Sequence, residues 1–168
     1  MTDEPDLPDS VAFQGRQAFD DALRAQVEAA AQLPAAPVPR GLIWVDADFA
    51  EWGLDSPALM AGLSQFLRGS GRRLRMIAAN WDVMPRRHPR FTAWRRDFAH
   101  VVEPFVTVEP VTLRPLALGP DSLIDVADTV YWRGLVMRAA ASRAAVRPMI
   151  GQWLQASEPG WPATTLGL

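Results

Sequence analysis

The chain contains no cysteine and no lysine, and it has only two histidines, His88 and His100, and one tyrosine, Tyr131. Each shortage removes a class of chemistry. Without Cys there is no disulfide framework, no thiolate nucleophile and no Cys-based zinc site. Without Lys there is no Schiff base, no pyridoxal-phosphate lysine and no Walker A lysine. Long apolar runs are also missing: no window approaches the roughly 18 residues that a membrane span needs. The opening residues Met1 to Ser10 are acidic and broken by proline, where a secretory signal needs a basic start and an apolar run. A cytoplasmic protein without a membrane partner is expected.

What is present suits a single globular domain. The chain has 168 residues, 49% of them hydrophobic and 21% charged, and domains cluster at about 100–150 residues. All 17 basic residues are Arg, and the net charge is −2. The charge is unevenly spread. Residues 1–67 carry −8, residues 68–96 carry nine Arg against Asp82 alone, and residues 97–168 carry −2. This asymmetry is the strongest compositional signal in the chain.

Periodicity divides the chain. Residues 1–13 read as a disordered acidic N-terminus. Residues 14–33 read as an amphipathic helix carrying Phe19, Leu23, Val27, Ala30 and Leu33 at helical spacing. The segment 34–40 holds three prolines and reads as a semi-rigid linker, which would make the helix an appendage. Residues 41–156 form the α/β domain. Within it, Gly41 to Asp46 reads as a buried strand, and Ser56-Pro57 as an N-cap with proline at the first helical position. Leu74 to Ala79 is a second strand, Pro89 to His100 a helix, and Val101 to Val108 a strand weakened by Pro104. Extended pieces follow at about 111–118 and 122–132. A helix from about Gly134 to Ala156 is kinked or split by Pro148. Residues 157–168 read as an extended tail. Strands alternating with helices imply a mixed β-sheet sandwiched by helices.

Two groups of residues could carry chemistry. Asp46 and Asp48 close the first buried strand, where open α/β sheets bind ligands. Paired carboxylates there could hold Mg²⁺, with Asp46 as nucleophile and Asp48 as acid/base. The Asp46-Ala47-Asp48 motif resembles the opening motif of the haloacid-dehalogenase-like phosphatases, and Asp121 to Asp125 resembles their later acidic motif, which would put Asp121 or Asp125 on the metal. Ala79-Asn80 stands where that family has Ser or Thr, and the family's lysine has no counterpart. Otherwise the Asp pair is a turn cap.

The second group is Arg72, Arg73, Arg75, Arg86, Arg87, Arg90, Arg95 and Arg96, interleaved with Trp81, Phe91 and Trp94. Arg pairs bidentately with phosphate and aromatics stack on bases, so the segment suits a polyanion such as single-stranded nucleic acid. The competing reading is a solvated or internally paired face with the aromatics in the core. His88 and His100 have no neighbouring carboxylate cluster to make a metal site, and His100 suits a helix C-terminus.

Leu42 to Asp46, Gly71 to Ala78, His88 to Phe91 with Trp94-Arg95-Arg96, and the stretch from Trp153 to Leu168 together resemble small uncharacterised proteobacterial proteins related to one half of a phospholipase D-like fold. The resemblance spans about three quarters of the chain. It implies a half domain of sheet and helices without the parent chemistry, because the His-x-Lys motif of active enzymes has no match. His88 is followed by Pro89-Arg90, His100 by Val101-Val102, and Lys is absent.

The expectation is thus a non-enzymatic interaction module without a cofactor. It would bind a protein through the N-terminal helix or an anionic ligand through the Arg segment, with a Mg²⁺-dependent phosphatase as the alternative. The oligomeric state stays open.

Overall fold

The computed structural model describes residues 8–35 and 41–162. The expectations for residues 1–7, 36–40 and 163–168 lie outside them. The chain runs β1 (Ser10–Gln14), α1 (Arg16–Gln32), β2 (Leu42–Val45), α2 (Pro57–Leu67), β3 (Leu74–Ala78), α3 (Met84–Arg87), α4 (Pro89–Asp97), β4 (Val102–Thr107), β5 (Leu116–Leu118), β6 (Leu123–Asp128), β7 (Arg133–Met137), α5 (Ala140–Gln155) and β8 (Ser157–Pro159).

The strands form one mixed sheet in the order β1-β7-β6-β5-β2-β3-β4-β8. β2, β3 and β4 are parallel, joined by crossovers through α2 and through α3–α4. β5, β6, β7 and β1 extend the sheet antiparallel on one side, and β8 pairs antiparallel with β4 on the other.

Strand alternation sends side chains to two cores. Leu42 and Trp44 of β2 join Leu74 and Met76 of β3 beneath α1, α2 and α4. Val45 and Ile77 face the other way and meet Val146, Ile150 and Trp153 of α5. Helices therefore cover both faces of a mixed sheet, as the sequence predicts.

The N-terminal helix is not an appendage. Phe19, Leu23, Val27 and Ala30 of α1 are all at most 1% exposed and belong to the larger core. Gln26 fixes the helix to the β5–β6 hairpin, its Nε2 donating to the Ala117 and Ser122 carbonyls at 3.1 and 3.0 Å. Burying a side chain such as Phe19 contributes about 1.5–3 kcal/mol, so the helix is integral to the domain and has no free apolar face to offer a protein partner. The stretch just before it is not disordered either, because Ser10 to Gln14 pair with Met137 to Arg133 as an edge strand.

Three further expectations change. Arg133 to Met137 form β7, so the last helix starts at Ala140. Pro148 sits inside α5 without dividing it, and both Pro148 and Ala144, whose carbonyl it leaves without an amide donor, are exposed to water. The tail begins with a true strand, since Ser157 to Pro159 pair with Thr107 to Phe105. Pro104 leaves β4 intact, paired residue by residue with β3. Among the described residues, no helix is long and apolar enough to cross a membrane.

Candidate polyanion interface

Asp46 lies at the carboxyl end of β2, 8% exposed, and its carboxylate is committed to the turn that follows. Oδ2 accepts from the amides of Phe49 at 2.7 Å and Asp48 at 3.3 Å. Those bonds hold Phe49 at φ 59°, a conformation that bulky residues rarely adopt, with its ring fully buried. Burial pushes the Asp46 carboxyl above its ordinary range, and the amide bonds partly offset the rise. Asp48 caps the same turn, its Oδ1 accepting from the Ala50 amide at 2.9 Å.

The other acids of the expected metal site do not gather around this pair. Asp121 lies in the β5–β6 turn, at the end of the sheet where β2 begins, since Ile43 pairs with Leu118 and Val45 with Leu116. Asp125 is held by Arg114 in a two-pronged ion pair, Nε–Oδ1 2.8 Å and Nη2–Oδ2 3.0 Å. Among the described residues no three His, Asp or Glu side chains cluster as a metal would require.

The arginines divide into an engaged set and a free one. Arg72 lies over the Phe66 ring, 5.1 Å from its centroid, and its Nη2 donates to the Leu33 carbonyl at the end of α1 at 2.6 Å. Arg73 and Arg75 grip Glu103 of β4 at 2.6 and 2.9 Å. Arg87 donates to the Ala50 carbonyl at 3.1 Å and reaches Glu51 at 3.4 Å. Arg95 is 4% exposed, and burial lowers its pKa to about 10, so it remains charged at neutral pH. Arg86 of α3 and Arg90 and Arg96 of α4 are exposed and form no ion pair among the described residues. α3 and α4 follow β3, so Arg86 and Arg90 stand beyond the carboxyl end of the parallel strands.

The interleaved aromatics belong to the core rather than to an open platform. Phe91 is fully buried, and Trp81 is 7% exposed with its Nε1 donating to the Phe105 carbonyl at 3.1 Å. Trp94 donates to Ser64 Oγ at 2.9 Å and stacks on Phe98. His88 is buried, its Nε2 2.8 Å from the Phe49 carbonyl oxygen, which requires the proton on that nitrogen. His100 is exposed in the turn after α4.

One cleft, of about 640 Å³, opens between α1, the β2–α2 loop and α3, and no sequence pattern points to it. Three arginines and four carboxylates line it. Glu51 reaches both Arg16 and Arg87 across it. Asp20, whose carboxyl is raised by burial, accepts from the Gly53 amide at 2.9 Å. A wall so balanced in charge does not select anions. Its two sides meet through residues 33 apart in sequence, which no local pattern announces.

No protein-family model matches the chain, and no curated protein sequence matches it. Solved structures do match its shape. TrmBL2, an archaeal chromatin protein whose structure shows a novel mode of DNA binding, superposes with a TM-score of 0.65 at 9% identity over 95% of this chain. This chain spans 57% of that protein. Nuc from Salmonella typhimurium, a phospholipase D family member, gives a TM-score of 0.55 at 7% identity, covering 90% of this chain and 98% of that one. Phosphatidylserine synthase of Haemophilus influenzae gives 0.55 at 9% identity, covering 92% of this chain and 41% of its own. At such identities the likeness concerns architecture alone: the chain has a phospholipase D-like fold.

Proposed function

We propose that this chain is a non-enzymatic module that binds a polyanion, nucleic acid foremost, through the α3–α4 face. The observation that carries the reading is the trio Arg86, Arg90 and Arg96, exposed and without a carboxylate partner among the described residues on two consecutive short helices. Guanidinium groups left to water on adjacent helices are suited to phosphate oxygens, which they bind through paired N–H donors. Arg87 sits beside them, its Nε and Nη2 partly engaged, and adds to the local field. The DNA-binding chromatin protein among the structural neighbours is consistent with this reading.

The phosphatase alternative draws little support from the geometry. A nucleophilic Asp46 would have to give up the amide bonds that shape its own turn, and the remaining acids lie elsewhere. A protein partner docking on α1 would compete with the domain's own core. The module would work in the cytoplasm, without a cofactor.

The test is the salt dependence of binding. Fluorescence anisotropy with a labelled single-stranded oligonucleotide should show log K falling with log salt at a slope of about −2 to −3, the value for three to four phosphate contacts. A flat profile, or no binding at low salt, removes the reading.

A further inference from the structure

A second feature lies beside the free arginines, where the chain returns after β8. After β8 the chain turns across the edge of β4, the Gly160 amide donating to the Pro104 carbonyl at 3.0 Å, and delivers Trp161 onto α4. The Trp161 indole lies 5.0 Å from Trp81 at an interplanar angle of 12°. Trp81 in turn stacks on Phe49 at 5.5 Å and 15°, so three flat rings follow one another from the core outward. The Arg95 guanidinium carbon lies 4.1 Å from the Trp161 ring centroid. The Trp161 ring thus fills a flat slot, stacked on the Trp81 indole and with the Arg95 guanidinium over its face.

Two details set this slot apart from ordinary core packing. Arg95 is 4% exposed, yet among the described residues no carboxylate is in reach, and its Nε has no hydrogen-bond partner. One Nη2 donates to the Trp161 carbonyl, and that is a neutral acceptor. A buried guanidinium without an anion is costly, and proteins generally retain such a charge only where something pairs with it. Trp161 itself is held at φ 43°, in the left-handed region that bulky residues avoid. A strained residue therefore supplies a ring and a carbonyl to a slot whose buried charge calls for a ring and an anion.

We propose that Trp161 is a placeholder in a base-stacking slot: a base of single-stranded nucleic acid displaces it, stacks on Trp81, and brings its phosphate to Arg95. The proposal rests on the polyanion reading and narrows it to single strands, because a duplex keeps its bases paired and stacked on one another. The free Arg90 and Arg96 lie on the same helix as Arg95, so a strand whose base enters the slot can run its backbone along them. Competition from Trp161 lowers the apparent affinity by the fraction of molecules in which the slot is filled.

The experiment compares the full chain with its Trp161→Ala variant for binding to oligo(dT), oligo(U) and a duplex of equal length. Trp161→Ala should bind single strands about tenfold more tightly, with duplex binding unchanged. A gain on either homopolymer supports the slot. In the unmodified protein, the Trp161 indole N–H signal should move to its free-indole position as oligonucleotide saturates the protein, which decides the matter even if the variant does not fold. A Trp161 signal unmoved at saturation, or a folded variant with unchanged affinity, overturns the slot and leaves the α3–α4 reading standing. Absence of salt-sensitive binding in both proteins overturns both.

Discussion

Arg72, Arg73 and Arg75 at one end of the basic stretch, and Arg86, Arg90 and Arg96 at the other, share a residue type and a stretch of sequence but have opposite fates. The first three lie just before β3 or, for Arg75, within it, where the neighbouring strand presents Glu103 and the end of α1 presents carbonyls. The last three stand on helices beyond the sheet, with no acid opposite them among the described residues. A surface ion pair is worth only about 0–1 kcal/mol, yet it decides whether a cation is available to a ligand. Composition counts charges, and topology assigns them.

The largest expected effect separates the two sets directly. Replacing Arg86, Arg90 and Arg96 together by Gln should weaken single-strand binding about 30-fold at low salt and flatten the salt dependence. The same change should leave the unfolding free energy from urea melts within about 0.5 kcal/mol of the parent. The Arg73→Gln, Arg75→Gln double variant should bind within about twofold of the parent, because those side chains are already occupied. Equal losses from the two variants would show that the division of the arginines has no functional meaning.

How far the sequence could foresee this division depends on how local each signal is. The Ser56-Pro57 start of α2 was legible because cap and helix are adjacent, and Ser56 Oγ does accept from the Leu59 amide at 3.3 Å. β2, β3 and β4 were legible as short apolar runs, and the charge asymmetry as a simple count. β1 was not, because a five-residue strand with only Val11 and Phe13 on its apolar face is too short to announce itself and exists through pairing with β7, more than a hundred residues away. β7 merged with the following helix because the N-cap of α5 is Ala139, whose side chain cannot cap the helix start. The aromatic component of the candidate interface is half visible in the sequence: Trp81, Phe91 and Trp94 stand within the basic stretch, but the residue that stacks against Trp81 comes from the far end of the chain, as Trp161.

The second effect tests the engaged set through stability instead of binding. Arg72→Ala removes a guanidinium bond to the last turn of α1 and the stem that covers Phe66. It should cost about 1–2 kcal/mol in urea unfolding while leaving single-strand affinity unchanged. Arg86→Ala, on the opposite side of the comparison, should do the reverse. An Arg72→Ala chain of parental stability would mean that its contacts with α1 do not hold the helix end.

The smallest effect is a matter of pH. Burial pushes the Glu103 carboxyl up, but hydrogen bonds and charge from Arg75 and Arg73 outweigh it and hold the group below its ordinary value of 4.5. A carboxylate depressed on folding adds stability that is present above the unfolded pKa and is lost as pH falls through the folded one. Asp20 and Asp46, raised by burial, contribute with the opposite sign over the same acid range, so the parent's own pH profile mixes the two. The difference between parent and Glu103→Gln isolates the ion pair. At neutral pH the variant should be less stable by no more than about 1 kcal/mol, and the gap should close as the pH drops below 4.5. Urea melts across the acid range would read that convergence. A gap that stays constant with pH would mean that Arg73 and Arg75 hold Glu103 by shape and hydrogen bonding without using its charge, and the boundary between engaged and free arginines would then have to be drawn by geometry alone.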